Sequence, residues 1–316
     1  MNERAEVPLV AIIGPTASGK STLGVWLSER LNGEVIACDS TQLYRGFNIG
    51  TAKPSDAERR GVPHHLLDVL EGAEEATAGA YREWAVATLE DLRTRKKLPI
   101  FTVGTGLYLR VLLEGLADVP QRSEQLRERL RESAAEHGSG YLHGVLRRLD
   151  AVSSLRIAPT DEQKLIRAIE VCLLAQRPLS EVYQSGRKPL RGWRAVKIGL
   201  APGRERLIER IHARTKEMLA AGWLEEVRTL LQQGVAEHAK GFDFIGYREL
   251  QEVLAGRRQL EESREATQQA TRRYAKRQVT WFRREHGVEW LNGFGDEERI
   301  QKQALEKIQA VAGDPW

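Results

Sequence analysis

Residues 14–21 read Gly14-Pro15-Thr16-Ala17-Ser18-Gly19-Lys20-Ser21, which meets G-x-x-x-x-G-K-[ST] at every specified position. The flanks agree with the motif. Residues 7–13 are a continuous apolar, β-branched run, and Leu23, Leu27 and Leu31 recur one helical turn apart after Lys20. A strand, a glycine-bearing turn and a helix in that order turn backbone N–H groups inward around an anion, and the helix N-terminus adds partial positive charge. Lys20 then reaches terminal phosphates, and the Ser21 hydroxyl is a ligand for Mg²⁺. The motif predicts a di- or triphosphate without naming it, because kinases, NTPases and pyrophosphate-releasing transferases share this cradle.

The pattern continues as an α/β chain. Residues 34–38 read as a second buried strand ending at Asp39, residues 77–97 as an amphipathic helix, and residues 99–103 as a strand closed by Gly104 and Gly106. Alternation of this kind predicts a P-loop NTPase-like parallel sheet core flanked by helices. After Asp118 the strands stop, and residues 122–175 are rich in Arg, Glu and other helix formers. We therefore expect a mostly helical insertion over 120–199, with the core built from 1–119 and 200–316, although residues 194–200 alternate like a returning strand. One long helix over 204–233 and a tail helix over 260–284 complete the chain. After the strand that ends at Asp39 there is no obvious later hhhhD strand of the Walker B type, and no guanine-specifying N-K-x-D, which argues against an ATPase motor and a GTP switch.

Net charge is +4, from 48 Lys plus Arg and 44 Asp plus Glu, and its placement is more telling than its sum. Segments 1–119, 120–199 and 200–316 carry −3, +6 and +1, and residues 257–284 alone hold nine basic and three acidic residues with Tyr274, Trp281 and Phe282 among them. That mixture suits RNA phosphate contact and base stacking, against the plainer reading of an amphipathic helix with a wet basic face. Two cysteines, Cys38 and Cys172, exclude a disulfide framework and a thiolate zinc site. The charged start of the chain and its short apolar run predict neither a signal peptide nor a membrane span, so a cytoplasmic protein is expected.

Individual residues leave alternatives. Asp39, at the carboxyl end of a strand facing the phosphate loop, is a general base, a Mg²⁺ ligand through water, or a turn cap. Arg210 and Arg214, four apart on one helix face, form a second cationic clamp or pair with Glu205, Glu209 or Glu217. His64 and His65 point to opposite sides of an extended segment with no third ligand nearby, so pocket structure or core hydrogen bonding is preferred to a metal site.

Five blocks in order, GPTASGKS at 14–21, DSTQLYRGFNIGTAKP at 39–54, PHHLLD at 63–68, GTGLYL at 104–109 and KRQVTWFR at 276–283, resemble the tRNA dimethylallyltransferase (tRNA isopentenyltransferase) family. QKLIRAIE at 163–170 and GYREL at 246–250 extend the resemblance across nearly the whole chain. Asn48, where the family usually has Asp, and Val103 before Gly104, where it has paired glycines, are departures. The resemblance implies transfer of a dimethylallyl group from dimethylallyl diphosphate to N6 of the adenosine 3′ of the anticodon, tRNA position 37, with release of pyrophosphate. It implies that residues 14–21, above all Thr16 to Ser21, hold the diphosphate with Mg²⁺. Lys20 would neutralise leaving-group charge and Asp39 would be the base. The tRNA anticodon stem-loop would be contacted by Asp39, Ser40, Thr41, Gln42, Thr105, Arg127, Gln163, Lys164, Leu165, Ile166 and Arg167, with Thr105 and Arg127 at the catalytic centre and the chain acting as a monomer. Read alone, Thr105 caps the next helix and Arg127 pairs with Glu124 or Glu128. ATP binding does not follow from the motif when the loop serves a non-nucleotide donor. A P-loop nucleoside or small-metabolite kinase is the rival enzyme, and it leaves the 39–54 block and the basic tail without a purpose.

Overall fold

The computed structural model describes residues 6–117, 119–184 and 188–312; the charged residues 1–5 and Asp118 of the sequence argument lie outside them. The order is β1 (Val7–Ile13), α1 (Lys20–Arg30), β2 (Gly33–Cys38), α2 (Asp56–Arg59), β3 (His64–His65), α3 (Ala78–Thr94), β4 (Leu98–Val103) and α4 (Gly106–Glu114). Five helices follow: α5 (Glu124–His137), α6 (Tyr141–Leu149), α7 (Ala151–Ser154), α8 (Glu162–Ala175) and α9 (Leu179–Gln184). The chain returns through β5 (Trp193–Leu200), α10 (Arg204–Ala220), α11 (Trp223–Gln232), α12 (Tyr247–Leu254), α13 (Leu260–Phe282), β6 (Val288–Leu291) and α14 (Glu298–Ala312).

All strand pairs are parallel, in the order β3-β2-β4-β1-β5-β6. The α/β reading of the sequence holds. Strands β1, β2 and β4 are buried nearly end to end, as a sheet covered on both faces requires. Val10 and Ile12 of β1 point into a core completed by Leu23 and Leu27 of α1 and by Ile300, Ala304 and Ile308 of α14. At the edge, β3 resolves the two histidines: His65 Nε2 meets the buried Glu34 carboxylate at 2.7 Å, and His64 Nδ1 meets the Val62 carbonyl at 2.9 Å.

The chain divides into residues 1–112 with 191–316, and residues 113–190. This moves the expected boundary at 120–199. β5 pairs with β1 along its whole length, so its residues belong to the sheet. The charge argument changes with it: residues 113–190 carry 12 basic and 11 acidic residues, net +1 in place of +6. In this second unit α5, α6 and α8 share a core of Leu130, Leu142, Leu146, Leu165 and Ile169.

The long helix expected over 204–233 is two, because Gly222 takes a φ of +96° between α10 and α11. β6 and α14 have no counterpart in the sequence reading. No described helix is long and apolar enough to cross a membrane. Substituting Gly222 by Ala is expected to cost about 1–2 kcal/mol, since the left-handed turn alone penalises a Cβ. Gly144→Ala within α6, where a Cβ meets open space, should stabilise by about 0.5–1 kcal/mol; urea unfolding midpoints that move in the same direction for both would contradict this.

Candidate active site

The site is built by register. Ile13 of β1 lies beside Val103 of β4, which lies beside Cys38 of β2, so the next residues, Gly14, Gly104 and Asp39, leave the sheet side by side. The phosphate loop follows Gly14, with Ala17 at φ +62° and Gly19 at φ +86°. Gly19 must lack a side chain, because a Cβ there would sit 2.8 Å from the backbone nitrogen of Gly295, which donates to the Ser18 carbonyl at 2.9 Å. Thus the loop after β6, unseen in the sequence, braces the cradle. Lys20 Nζ folds back onto the Gly14 and Pro15 carbonyls at 3.0 and 2.9 Å, and the buried Ser18 hydroxyl has no partner among the described residues. Both groups suit an anion.

Asp39 is aimed by its neighbours. Its Oδ1 accepts from the backbone N–H and the hydroxyl of Thr41 at 2.9 and 2.8 Å, while Oδ2 has no partner among the described residues. Oδ2 lies over Gly104, where a Cβ would come within 1.9 Å, so Gly104 is required for Asp39 to occupy its place. Thr105 accepts from the Ser40 backbone N–H at 2.9 Å and donates to the Ser40 hydroxyl at 3.2 Å; it pins the Asp39-Ser40 turn. Gln42 donates to the Thr51 and Ala52 carbonyls and folds the 39–54 block back over the loop. Behind that block Trp223 fills the space left by Gly50 and Gly246, and Glu226 accepts from the backbone N–H groups of Asn48 and Ile49.

A cavity of about 560 Å³ is lined by residues 16–22, Asp39, Gln42, Gly104 and Arg214. A second, of about 280 Å³, shares Thr16, Ala17, Asp39 and Arg214 but is walled by Ile211, Met218, Trp223, Phe244 and Tyr274. The first is lined by charges of both signs, Lys20, Arg60, Arg210 and Arg214 with Asp39, Glu58 and Glu217, the second is largely apolar, and Asp39 borders both. Of the expected clamp, only Arg214 faces the cavities without a carboxylate partner, and burial beside Arg210 depresses its pKa. Arg210 is instead held bidentately by Asp296 at 2.7 and 2.5 Å, with its guanidinium over Phe294. Ser21 and Asp39 in one cavity match the donors Mg²⁺ takes alongside substrate phosphates, and no group of three metal-binding side chains exists among the described residues.

The helical unit holds the remaining candidates. Arg127 donates through Nε to Glu170 at 3.1 Å, and Arg167 reaches the same fully buried carboxylate at 2.6 Å. Arg127 thus pairs with neither Glu124 nor Glu128 as its main partner, and it is not among the residues lining the cavities. Leu165 and Ile166 are core, 1% and 5% exposed, which corrects the expectation that their side chains touch RNA; Gln163 and Lys164 are exposed. Arg272, Arg273, Lys276 and Arg277 on α13, and Arg283 and Arg284 just past its end, are exposed, and among the described residues none pairs with a carboxylate. The opposite side of α13 enters the site through Tyr274 and Gln278, both of which donate to the Gly104 carbonyl. The tail block was legible for its charge; its neutral Gln278 gave no such signal.

The sequence pattern of the IPP transferase family matches residues 42–285. A tRNA dimethylallyltransferase from Koribacter versatilis is 49% identical over 301 residues, covering 95% of this chain and 98% of that protein. The tRNA isopentenylpyrophosphate transferase structure from Bacillus halodurans is 34% identical, covers 98% of this chain and 97% of its own, and superposes with a TM-score of 0.71. A eukaryotic dimethylallyltransferase described as acting on tRNA is 26% identical, covers 98% of this chain and 79% of its own, and reaches a TM-score of 0.82.

Burial pulls the Lys20 ammonium down from 10.5 to about 8, with Asp39 opposing that shift and Arg214 adding to it. Below that pH Lys20 is charged and above it neutral, while a bound anion favours the charged form and raises the pKa again. Pyrophosphate binding at about pH 9 should therefore draw a proton onto Lys20. Calorimetry in buffers of different ionisation enthalpy should give wild type a larger proton uptake than Lys20→Met; identical values would exclude this role.

Proposed function

Because this chain belongs to the IPP transferase family, whose matched relatives are tRNA dimethylallyltransferases, we propose that it moves a dimethylallyl group from dimethylallyl diphosphate to N6 of the adenosine at position 37 of tRNA. The observation that carries this reading is that Asp39 borders both a charged cavity built on the phosphate loop and an apolar one. The charged cavity suits the diphosphate, cradled by the loop up to Ser21 and faced by Lys20 and Arg214. The apolar cavity suits the five-carbon chain and a flipped base, against Trp223, Phe244 and Tyr274.

The exocyclic amine is a poor nucleophile because its lone pair is delocalised into the ring. As its nitrogen bonds to C1 of the donor, the C1–O bond breaks and pyrophosphate leaves; the amine proton passes to the unpartnered Oδ2 of Asp39. Thr41 holds the other carboxylate oxygen, so the base keeps one orientation. Lys20 and Arg214 offset the negative charge that grows on the leaving oxygens. Ser21 and Asp39 would hold Mg²⁺ together with diphosphate oxygens, where the ion supplies further charge neutralisation. Thr105 acts through Ser40 and Asp39 rather than on the substrate.

The exposed cations of α13 grip the anticodon stem-loop backbone, with Arg277 at the mouth of the apolar cavity. The free, buried Cys38 and Cys172 suit the reducing cytoplasm in which tRNA is modified.

Radiolabelled dimethylallyl diphosphate should label an anticodon stem-loop bearing adenosine 37; phosphoryl transfer from ATP with no labelled RNA would replace this reading with a kinase. Asp39→Ala should lower kcat by about 10²–10⁴ while leaving RNA affinity within about threefold. Replacing Arg272, Lys276 and Arg283 one at a time by Ala should each reduce the slope of log K against log salt by roughly 0.7–0.9. Unchanged slopes would move the RNA grip elsewhere.

A further inference from the structure

Gln278 is 5% exposed on α13, a polar side chain buried in a helix that carries the exposed cations Arg272, Arg273, Lys276 and Arg277. Both ends of its amide are used. Oε1 accepts from the Thr16 backbone N–H at 2.7 Å, and Nε2 donates to the Gly104 carbonyl at 2.8 Å. Those backbone groups follow two adjacent parallel strands, β1 and β4. An amide with one acceptor and one donor fits this pair in one orientation only.

The two partners govern different halves of the reaction. Thr16 opens the phosphate loop, and its N–H, being engaged by Gln278, is not directed at the donor's phosphates. Gly104 carries Asp39 Oδ2 above it, at a distance that admits no Cβ. From this geometry we infer that Gln278 is a positioning residue, fixing the spacing between the diphosphate cradle and the base that takes the amine proton. The inference rests on the prenyl-transfer reading above. It assigns the neutral member of the basic tail a task in catalysis, separate from RNA grip.

Tyr274, one turn earlier, donates to the same Gly104 carbonyl at 3.2 Å, so loss of Gln278 leaves β4 partly held while the loop is released. A shift of that kind changes alignment more than it changes binding. A misplacement near 1 Å costs on the order of 10²-fold in rate when reacting groups must be aligned.

The test uses Gln278→Met, which keeps the length and removes both hydrogen bonds, with Gln278→Asn in its place if the Met protein does not fold. Steady-state prenyl transfer to the anticodon stem-loop and thermal unfolding are measured for wild type, the variant, Asp39→Ala and the double variant. We expect kcat to fall on the order of 10²-fold, KM for dimethylallyl diphosphate and RNA affinity to stay within about threefold, and the two losses to combine to much less than their product. Unchanged kcat, equal losses in kcat and in both affinities, or multiplicative losses would overturn the inference. Wild-type protein that labels no RNA would instead remove the prenyl-transfer reading.

Discussion

Parallel pairing in register is the constraint on which the site depends. Ile13, Val103 and Cys38 stand in one row across β1, β4 and β2. In a parallel sheet every strand leaves at the same end, so the residues after that row form the floor of a single crevice. Gly14 begins the anion cradle there, Asp39 supplies a carboxylate, and Gly104 makes room for it. A slip of one residue in β2 would turn Asp39 out of the row and reverse the faces of a strand buried on both sides.

The roof is made by elements distant in sequence. Helix α10 brings Arg214, α13 brings Tyr274 and Gln278, and the loop after β6 brings Gly295 against Gly19. Each is secured by contacts that use up its own polar groups. Arg210 is paired with Asp296 and stacked on Phe294, whereas Arg214, one turn further along in the same cavity, has no carboxylate partner among the described residues. An unpaired guanidinium and an ammonium with a depressed pKa in the same cavity are costly without an anion. That cost is the physical mark of a phosphate site.

Much of the floor was legible in the sequence because strand, turn and helix are local signals. The loop motif, the strand ending at Asp39, the strand before Gly104 and the short loops between them all follow from period and residue type. The roof was less legible. Gly222 splits a helix that hydrophobic spacing alone makes continuous, and Val288–Leu291 is a four-residue strand on the sheet edge with only one buried residue. Charge misled for a related reason. Arg191, Arg194 and Lys197 fall within 120–199, but they belong with the sheet, and without them and with Glu114 and Asp118 added the helical unit is nearly neutral. Arg127 and Arg167 resembled RNA contacts by position, and both spend donors on Glu170; the Arg167 pair is a local one, three residues apart on α8, but Arg127 lies about 40 residues away, a partnership that no local pattern reveals.

Helix α13 carries a run of exposed cations that have no carboxylate partner among the described residues, and this bears on how RNA grip and chemistry would relate. Exposed Arg272, Arg273, Lys276 and Arg277 alternate along this helix with Tyr274 and Gln278, which face inward to Gly104 and the phosphate loop. Side chains on opposite faces of one turn keep a fixed separation because the backbone hydrogen bonds between them do not yield independently. An RNA backbone seated on the cationic face, as proposed, would therefore be referenced to Asp39 and the phosphate loop through a single rigid element. Cooperation between grip and alignment then needs no moving part in the core, since the helix that carries the charge is the same helix that holds the loop.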